Sequence, residues 1–250
     1  MGALLSAGPG ILALILFVLV LVALELGYAV GRRRPASDGG GVPAQGVVLT
    51  IVGLLLGFMF ANAAQRYDLR RDLTVREANA ISTAYLRTAF VKEPAAAALR
   101  ANLREYLDDR IALYQGGSSA GDARARSDAL GRTMWTTVVT QPLTEPLNAH
   151  STLVTGAVND VLELARAQTA AFAARIPTAI GVLLFVVVTG ASWLLGVGRG
   201  TVGHQDWIYS VTFAVLVSFV AYVIADLNQA ERGVISTNLG PLIDLRSALK

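Results

Sequence analysis

The chain contains no cysteine, and that absence removes disulfides, iron–sulfur clusters, thiolate zinc sites and cysteine nucleophiles from consideration. Histidine is almost missing as well: His150 and His204 lie far apart, and neither belongs to a metal-binding spacing. Charge is scarce. Asp, Glu, Lys and Arg make up 16% of the 250 residues, against about a quarter in soluble domains. Lysine occurs only at Lys92 and Lys250, no basic run is longer than Arg32–Arg34, and the net charge is +3. Such a chain offers no basic surface for a polyanion, so nucleic acid is excluded as a partner. No stretch alternates with a period of two, so strands are not expected. Gly198, Gly200 and Gly203 fall between two apolar runs and form no phosphate loop, and Ser, His and Asp occur without a nucleophile-elbow pattern. The sequence therefore predicts no enzyme, no cofactor and no metal site.

What is present in excess is apolar surface, at 54% of the residues and a mean hydropathy of +0.52. It is gathered into four runs. Ile11–Leu24 is uninterrupted and extends to a span over about Pro9–Val30. Its positive charge, Arg32–Arg34, follows a long apolar stretch rather than preceding a short one, which marks an uncleaved membrane helix instead of a signal peptide. From Val47 to Ala64 the only strongly polar side chain is Asn62, and this length crosses a hydrocarbon core of roughly 30 Å at about 1.5 Å per residue. The third span covers about Ile176–Val197 and the fourth about Trp207–Ala225. Trp193, Trp207, Tyr209 and Tyr222 sit near span ends, where amphipathic aromatics settle at the interface. The linker Pro35–Pro43 and the glycine-rich Gly196–Asp206 read as short reversals, giving two membrane hairpins.

The stretch Gln45–Phe90 organises the rest. It opens as the second span and continues without proline or a turn signal into a charged helix, with Asp68 and Arg71 at i,i+3 and Asp72 and Arg76 at i,i+4. Between Arg66 and Arg175 no run is long enough to span. Pro94 opens a helix whose face carries Leu99, Leu103, Tyr106, Leu107, Ile111 and Tyr114 and which stops at Gly116–Gly117. Asp122 is placed to cap the next helix, which carries Leu130, Met134, Trp135 and Val138 and stops near Pro142. A further helix from about Glu145–Pro146 is expected to feed directly into the third span, kinked at Pro177. Asp108 and Asp109, beside Arg104 and Arg110, read as a solvated charge cluster. The tail ends in a short amphipathic piece, Pro241–Leu249.

The fold class is thus all-α: a polytopic membrane protein with four transmembrane helices and a helical domain between spans 2 and 3. The segments are 1–64, a first transmembrane hairpin; 65–175, a helical extramembrane domain; 176–226, a second hairpin; and 227–250, a C-terminal tail. Charge at Arg32–Arg34 directly after the first span points that loop to the cytoplasm and the helical domain outside. The larger total of basic residues near the other span ends, Arg66, Arg70, Arg71, Arg76, Arg166, Arg175 and Arg232, points the opposite way. Because the first helix usually dominates, the helical domain is expected outside.

The run GLLLGFMFANAAQRYDLRRDLTVREANAISTAYLRT, Gly53–Thr88, resembles the signature of bacterial bestrophin-like membrane proteins, a family whose domain has no assigned function. The tail ERGVISTNLGPLIDL, Glu231–Leu245, is similar to the family's closing motif. Asp226, Leu227, Arg232 and Gly233 follow the pattern, whereas Asn228, Gln229, Ala230 and Glu231 stand where the family tends to show Asp, Arg, Pro and Arg. The resemblance covers nearly the whole chain. Bestrophins proper share the layout of four spans around a helical region; they are pentameric anion channels whose second helix lines the pore. The resemblance therefore implies a multi-pass protein of the bacterial inner (plasma) membrane, a homo-oligomer, pentameric by analogy, and inorganic anions as partners besides the lipid bilayer. It also implies a cytoplasmic middle region, opposite to the side given by Arg32–Arg34.

Two readings of the second span stand side by side. Gly53, Gly57 and Ala61 form a small-xxx-small ladder suited to close helix packing. About one turn round lie Phe58, Asn62 and Gln65, leading to Arg66 and Arg70. With this helix inside an oligomer, Phe58 is a hydrophobic gate, Asn62 and Gln65 replace part of an ion's hydration shell, and Arg66 and Arg70 draw anions to the mouth. On the other reading the two amides bond a neighbouring helix and the arginines mark the interface. Glu25 is the one acid well inside an apolar run, a candidate intramembrane site or a residue that reaches the interface near Arg32. The functional expectation is an ion channel, anions favoured. The competing expectation is an envelope scaffold or sensor whose helical domain binds a partner or small ligand.

Overall fold

The structure, a computed structural model, describes residues 8–34, 42–140, 149–174, 176–203, 206–228 and 238–249. The linker residues 35–41, Pro142, the helix start at Glu145–Pro146, Arg175, His204 and the motif residues Gln229–Gly233 lie outside them. Eight α-helices run in chain order among the described residues: α1 (Pro9–Gly31), α2 (Val42–Arg87), α3 (Ala95–Gln115), α4 (Ala120–Val139), α5 (Ala149–Ala173), α6 (Thr178–Val202), α7 (Trp207–Asn228) and α8 (Gly240–Ala248). A single 3₁₀ turn, Thr88–Phe90, ends α2. No strand occurs among the described residues. Among the described residues four helical stretches are long and apolar enough to cross a membrane, lying within Pro9–Gly31, Gln45–Phe90, His150–Val202 and Trp207–Asn228.

The chain divides into two compact units. The membrane unit comprises Met1–Arg66 and Arg175–Ile235. Within it α1 packs on both α6 and α7, and its contact with α6 is backbone on backbone. An ideal Cβ on Gly27 would lie 2.2 Å from the Trp193 carbonyl oxygen, and one on Gly31 would lie 2.1 Å from that of Val197. From the other side, a Cβ on Gly196 would meet the Leu24 oxygen at 2.2 Å and one on Gly200 the Tyr28 oxygen at 2.3 Å. Two glycine pairs four residues apart, one on each helix, thus let the axes approach more closely than any side chain permits.

This contact explains where the sequence reading of 196–206 was too broad. Those glycines are helical, and α6 runs on to Val202, turning only at Gly203 with φ of 82°. Arg199 closes the reversal by donating to Ser210 Oγ at 2.6 Å and to the Asp206 carbonyl at 2.6 Å. At its other end α6 does not continue α5. The chain leaves helical geometry after Ala173, and Pro177 is extended (φ −53°, ψ 132°) immediately before the new helix. Proline has no N–H and fits ahead of a helix start better than inside one, so a break replaces the expected kink. Asp226, near the end of α7, is buried.

The helical unit comprises Tyr67–Ala174 and Ser236–Lys250. Its core is built from Ile81 of α2, Leu99, Leu103, Tyr106 and Leu107 of α3, Met134 of α4, and Val154, Val158 and Val161 of α5. Leu242 of α8 is fully buried in the same core, and Arg246 pairs with Asp108 at 2.6 Å. The amphipathic end of the tail is therefore part of this unit. Ser119, not Asp122, is the residue that precedes α4, and Asp122 lies in the first turn without a capping bond. A carboxylate there still faces the positive end of the helix dipole.

Candidate functional site

Helix α2 is 46 residues long, and at about 100° per residue the angular position of every side chain follows from its number. Its buried residues within the membrane unit are Val52, Leu56, Met59 and Ala63. These fall within one sector of roughly 60°. Phe58, Asn62 and Gln65 lie together on a different face and are all exposed, Phe58 by 66%. Among the described residues nothing approaches the small-residue ladder either: Gly53 and Gly57 have no atom within 4 Å of a Cβ position, and Ala61 is exposed. Among the described residues of the chain this side of α2 is uncovered, while the opposite side is packed.

Arg66 sits at the lower edge of that open face. Its Nε donates to Asn62 Oδ1 at 3.0 Å. Because the amide oxygen accepts this bond, what Asn62 presents onward is its N–H donors, which suit an anion better than a cation. Arg70 does not share the face. It is 3% exposed, its carbonyl accepts from Thr74 Oγ1 at 3.0 Å, and Gln168 of α5 donates to Thr74 at 2.8 Å. Glu25 lies on an exposed side of α1, away from the glycine contact made by Gly27 and Gly31.

The helical unit holds a charged cluster that the sequence reading did not bring together. Glu77 of α2 and Arg110 of α3 are both buried, and Arg110 Nε donates to Glu77 Oε1 at 2.5 Å. Tyr114 Oη donates to Glu77 Oε2 at 2.5 Å, and Arg110 also bonds the Tyr114 hydroxyl. The guanidinium lies 4.8 Å from the Tyr114 ring centroid and 5.9 Å from that of Tyr106. Burial works against the charged guanidinium, but the Glu77 carboxylate and the two phenols outweigh it and hold Arg110 above its ordinary value. Burial pushes the Tyr114 hydroxyl up, with Glu77 adding to the effect, and burial likewise raises Tyr106.

Asp108 and Asp109 thus part company. Asp108 stays at the surface opposite Arg246. Asp109 is buried and accepts from Arg126 Nε at 2.8 Å, a contact that raises the Arg126 pKa. A signal for the inner pair existed: Glu77 is in helical register with Ile81 and Ala84, and Arg110 with Leu103, Leu107 and Tyr114, so each charge stands on an otherwise apolar stripe. A buried partner is the usual reason for that.

His150 is exposed and stacks on Phe90 with ring centroids 4.8 Å apart. Nearby, an open groove of about 390 Å³ is lined by Trp135 of α4 and by Ser151, Thr152, Thr155, Gly156 and Asn159 of α5. Its lining carries no charged group. No cluster of metal-ligating side chains occurs among the described residues.

These features define an all-α membrane protein with four spans and a helical domain between the second and third. The chain belongs to the bestrophin-like family: the model of the Bestrophin-like domain matches residues 12–242. No curated protein matches it in sequence. Among solved structures it shares the fold of two point-substituted forms of a bacterial bestrophin homologue from Klebsiella pneumoniae. One is 12% identical with a TM-score of 0.66, covering 95% of this chain and 94% of that one. The other is 14% identical with a TM-score of 0.66, covering 96% and 95%.

Proposed function

We propose that the protein is a homo-oligomeric ion channel of the bacterial inner membrane, with anions favoured and the open face of α2 turned to the oligomer axis. The observation that carries this reading is the division of α2 into a packed side and an uncovered side, the latter bearing Phe58, Asn62 and Gln65. Gln65 and the N–H groups of Asn62, on the same face as a bare phenylalanine, are wasteful against lipid, because a polar group left without a partner in hydrocarbon costs several kcal/mol. Facing a water-filled axis, the same residues act in series. A ring of Phe58 side chains makes a narrow apolar constriction that closes by dewetting. Asn62 N–H groups and Gln65 then solvate an ion that has shed part of its water, and Arg66 raises the local anion concentration. The family resemblance implies five copies around such an axis.

Ion flux from liposomes tests this, with the wild-type protein beside Phe58→Ala and Arg66→Glu. The wild type should pass chloride faster than potassium. The alanine variant should raise flux by widening the constriction, and the glutamate variant should lose the anion preference. Three folded, inserted proteins as tight as empty liposomes would overturn the reading.

A further inference from the structure

One end of the membrane unit gathers positive charge beside exposed apolar side chains. α1 ends at Gly31, and Arg32, Arg33 and Arg34 continue it in turns, their N–H groups donating to the carbonyls of Tyr28, Val30 and Gly31 at 3.0, 3.2 and 3.0 Å. The close approach of α1 to α6 fixes where they stand, since a Cβ on Gly200 would lie 2.8 Å from the Arg32 nitrogen. Arg199, the neighbour of Gly200, commits its guanidinium to Ser210 Oγ and the Asp206 carbonyl and lies 5.1 Å from the Tyr209 ring centroid. The start of α7 is therefore at this end too. So is Gln45 of α2, whose amide fills the space that a Cβ on Gly198 would need.

Two helices end here, α1 and α6, and two begin here, α2 and α7. Their terminal dipoles, each about half a charge, offset one another. Asp206 and Arg199 cancel in the same way. Arg32, Arg33 and Arg34 are left: all three are exposed, and among the described residues none makes an ion pair. Val202, Ile208 and Trp207 stand around the same end with their side chains in the open, Trp207 by 69%. Apolar side chains and an indole at a span end belong at the level where acyl chains meet headgroups.

We propose that this end of the membrane unit is a docking surface for anionic phospholipid headgroups. Arg32, Arg33 and Arg34 hold the phosphate, and Trp207, Ile208 and Val202 receive the first part of the acyl chains. Guanidinium groups match phosphate oxygens with paired N–H donors, which a lysine ammonium cannot do. A zwitterionic lipid carries its own cation beside the phosphate, so three unneutralised arginines separate the two lipid classes by net charge. Lipid selection at this end is independent of conduction along α2.

The test is relative lipid binding by the full-length protein in phosphatidylcholine vesicles, read as quenching of Trp207 by lipids brominated on the acyl chain. Trp135→Phe and Trp193→Phe remove the other two tryptophans. In this background brominated phosphatidylglycerol should bind the Trp207 surface about threefold or more tighter than brominated phosphatidylcholine. The ratio should fall to about one at about 1 M salt, where the Debye length is about 3 Å. It should fall equally when Arg32, Arg33 and Arg34 are all changed to Gln, with helical circular dichroism and protease accessibility verifying fold and insertion. The salt series needs no variant, so a failure of that variant to insert leaves the test intact. Inorganic phosphate in place of chloride at equal ionic strength should leave the ratio unchanged; a loss specific to phosphate would reveal a site for the soluble ion and overturn the lipid assignment. Equal quenching by the two lipids at low salt refutes the proposal, as does a preference that survives loss of all three arginines.

Discussion

Replacing Gly196 by alanine adds one methyl group at the point where α1 and α6 touch. That carbon would lie 2.2 Å from the Leu24 carbonyl oxygen and 3.0 Å from the Tyr28 nitrogen. Both are backbone atoms of a helix and cannot swing aside as a side chain would. Relief requires the helices to part by about 1 Å, and a gap of that size forfeits a quarter to a half of the dispersion energy along the contact. Overpacking of this kind costs about 1–3 kcal/mol. For a chain of this length that corresponds to a fall in Tm of roughly 3–10 °C. Thermal unfolding in detergent, followed by circular dichroism, measures it. Gly190→Ala is the control, because it lies in the same helix and a Cβ there meets nothing within 4 Å. It should be neutral or gain up to about 1 kcal/mol from helix propensity. Equal Tm values for the two variants would refute backbone contact between α1 and α6.

Other consequences follow from the charged cluster. Glu77→Gln leaves Arg110 charged and buried, which should cost about 3–5 kcal/mol, whereas the double change Glu77→Gln with Arg110→Met should cost less than the single one; chemical denaturation of each variant decides it. Tyr106 and Tyr114 are held protonated in the fold above the unfolded value of 10.0. Their contribution to stability is thus complete below pH 10 and declines as pH rises further, because the unfolded chain ionises first. Phenolate absorbance should accordingly show no difference between wild type and Tyr114→Phe until the domain unfolds, and a difference at lower pH would contradict the buried position.

Much of this architecture was legible in the sequence because hydropathy over a span-length window is a strong signal. The unbroken passage of the second span into a charged helix could be read from the absence of proline between Val47 and Phe90. Local chemistry was harder. Gly196 and Gly200 look like turn residues in one dimension, and only the facing pair Gly27 and Gly31 shows that they are an interface. Asp109 and Arg110 adjoin Asp108 in sequence, yet successive helix positions turn by about 100°, so one faces solvent while the others face the core. Arg70 follows Arg66 by four residues but ends nearly buried, on the side of α2 where Gln168 of α5 bonds Thr74. No pattern in the chain could reveal which side of α2 would be covered, since that depends on partners far away in sequence such as Gln168.

The central claim is that the uncovered face of α2 looks onto a conducting axis, and the absence of native cysteine makes a direct measurement available. Single cysteines placed at Phe58, Asn62 and Gln65, and at Leu56 and Ala63 on the packed side, are exposed to a charged thiol reagent during bilayer recording. The account predicts that current through the first three variants is blocked or altered within the exposure and that the last two are indifferent. Block at Leu56→Cys and Ala63→Cys with none at Phe58→Cys or Gln65→Cys would contradict it.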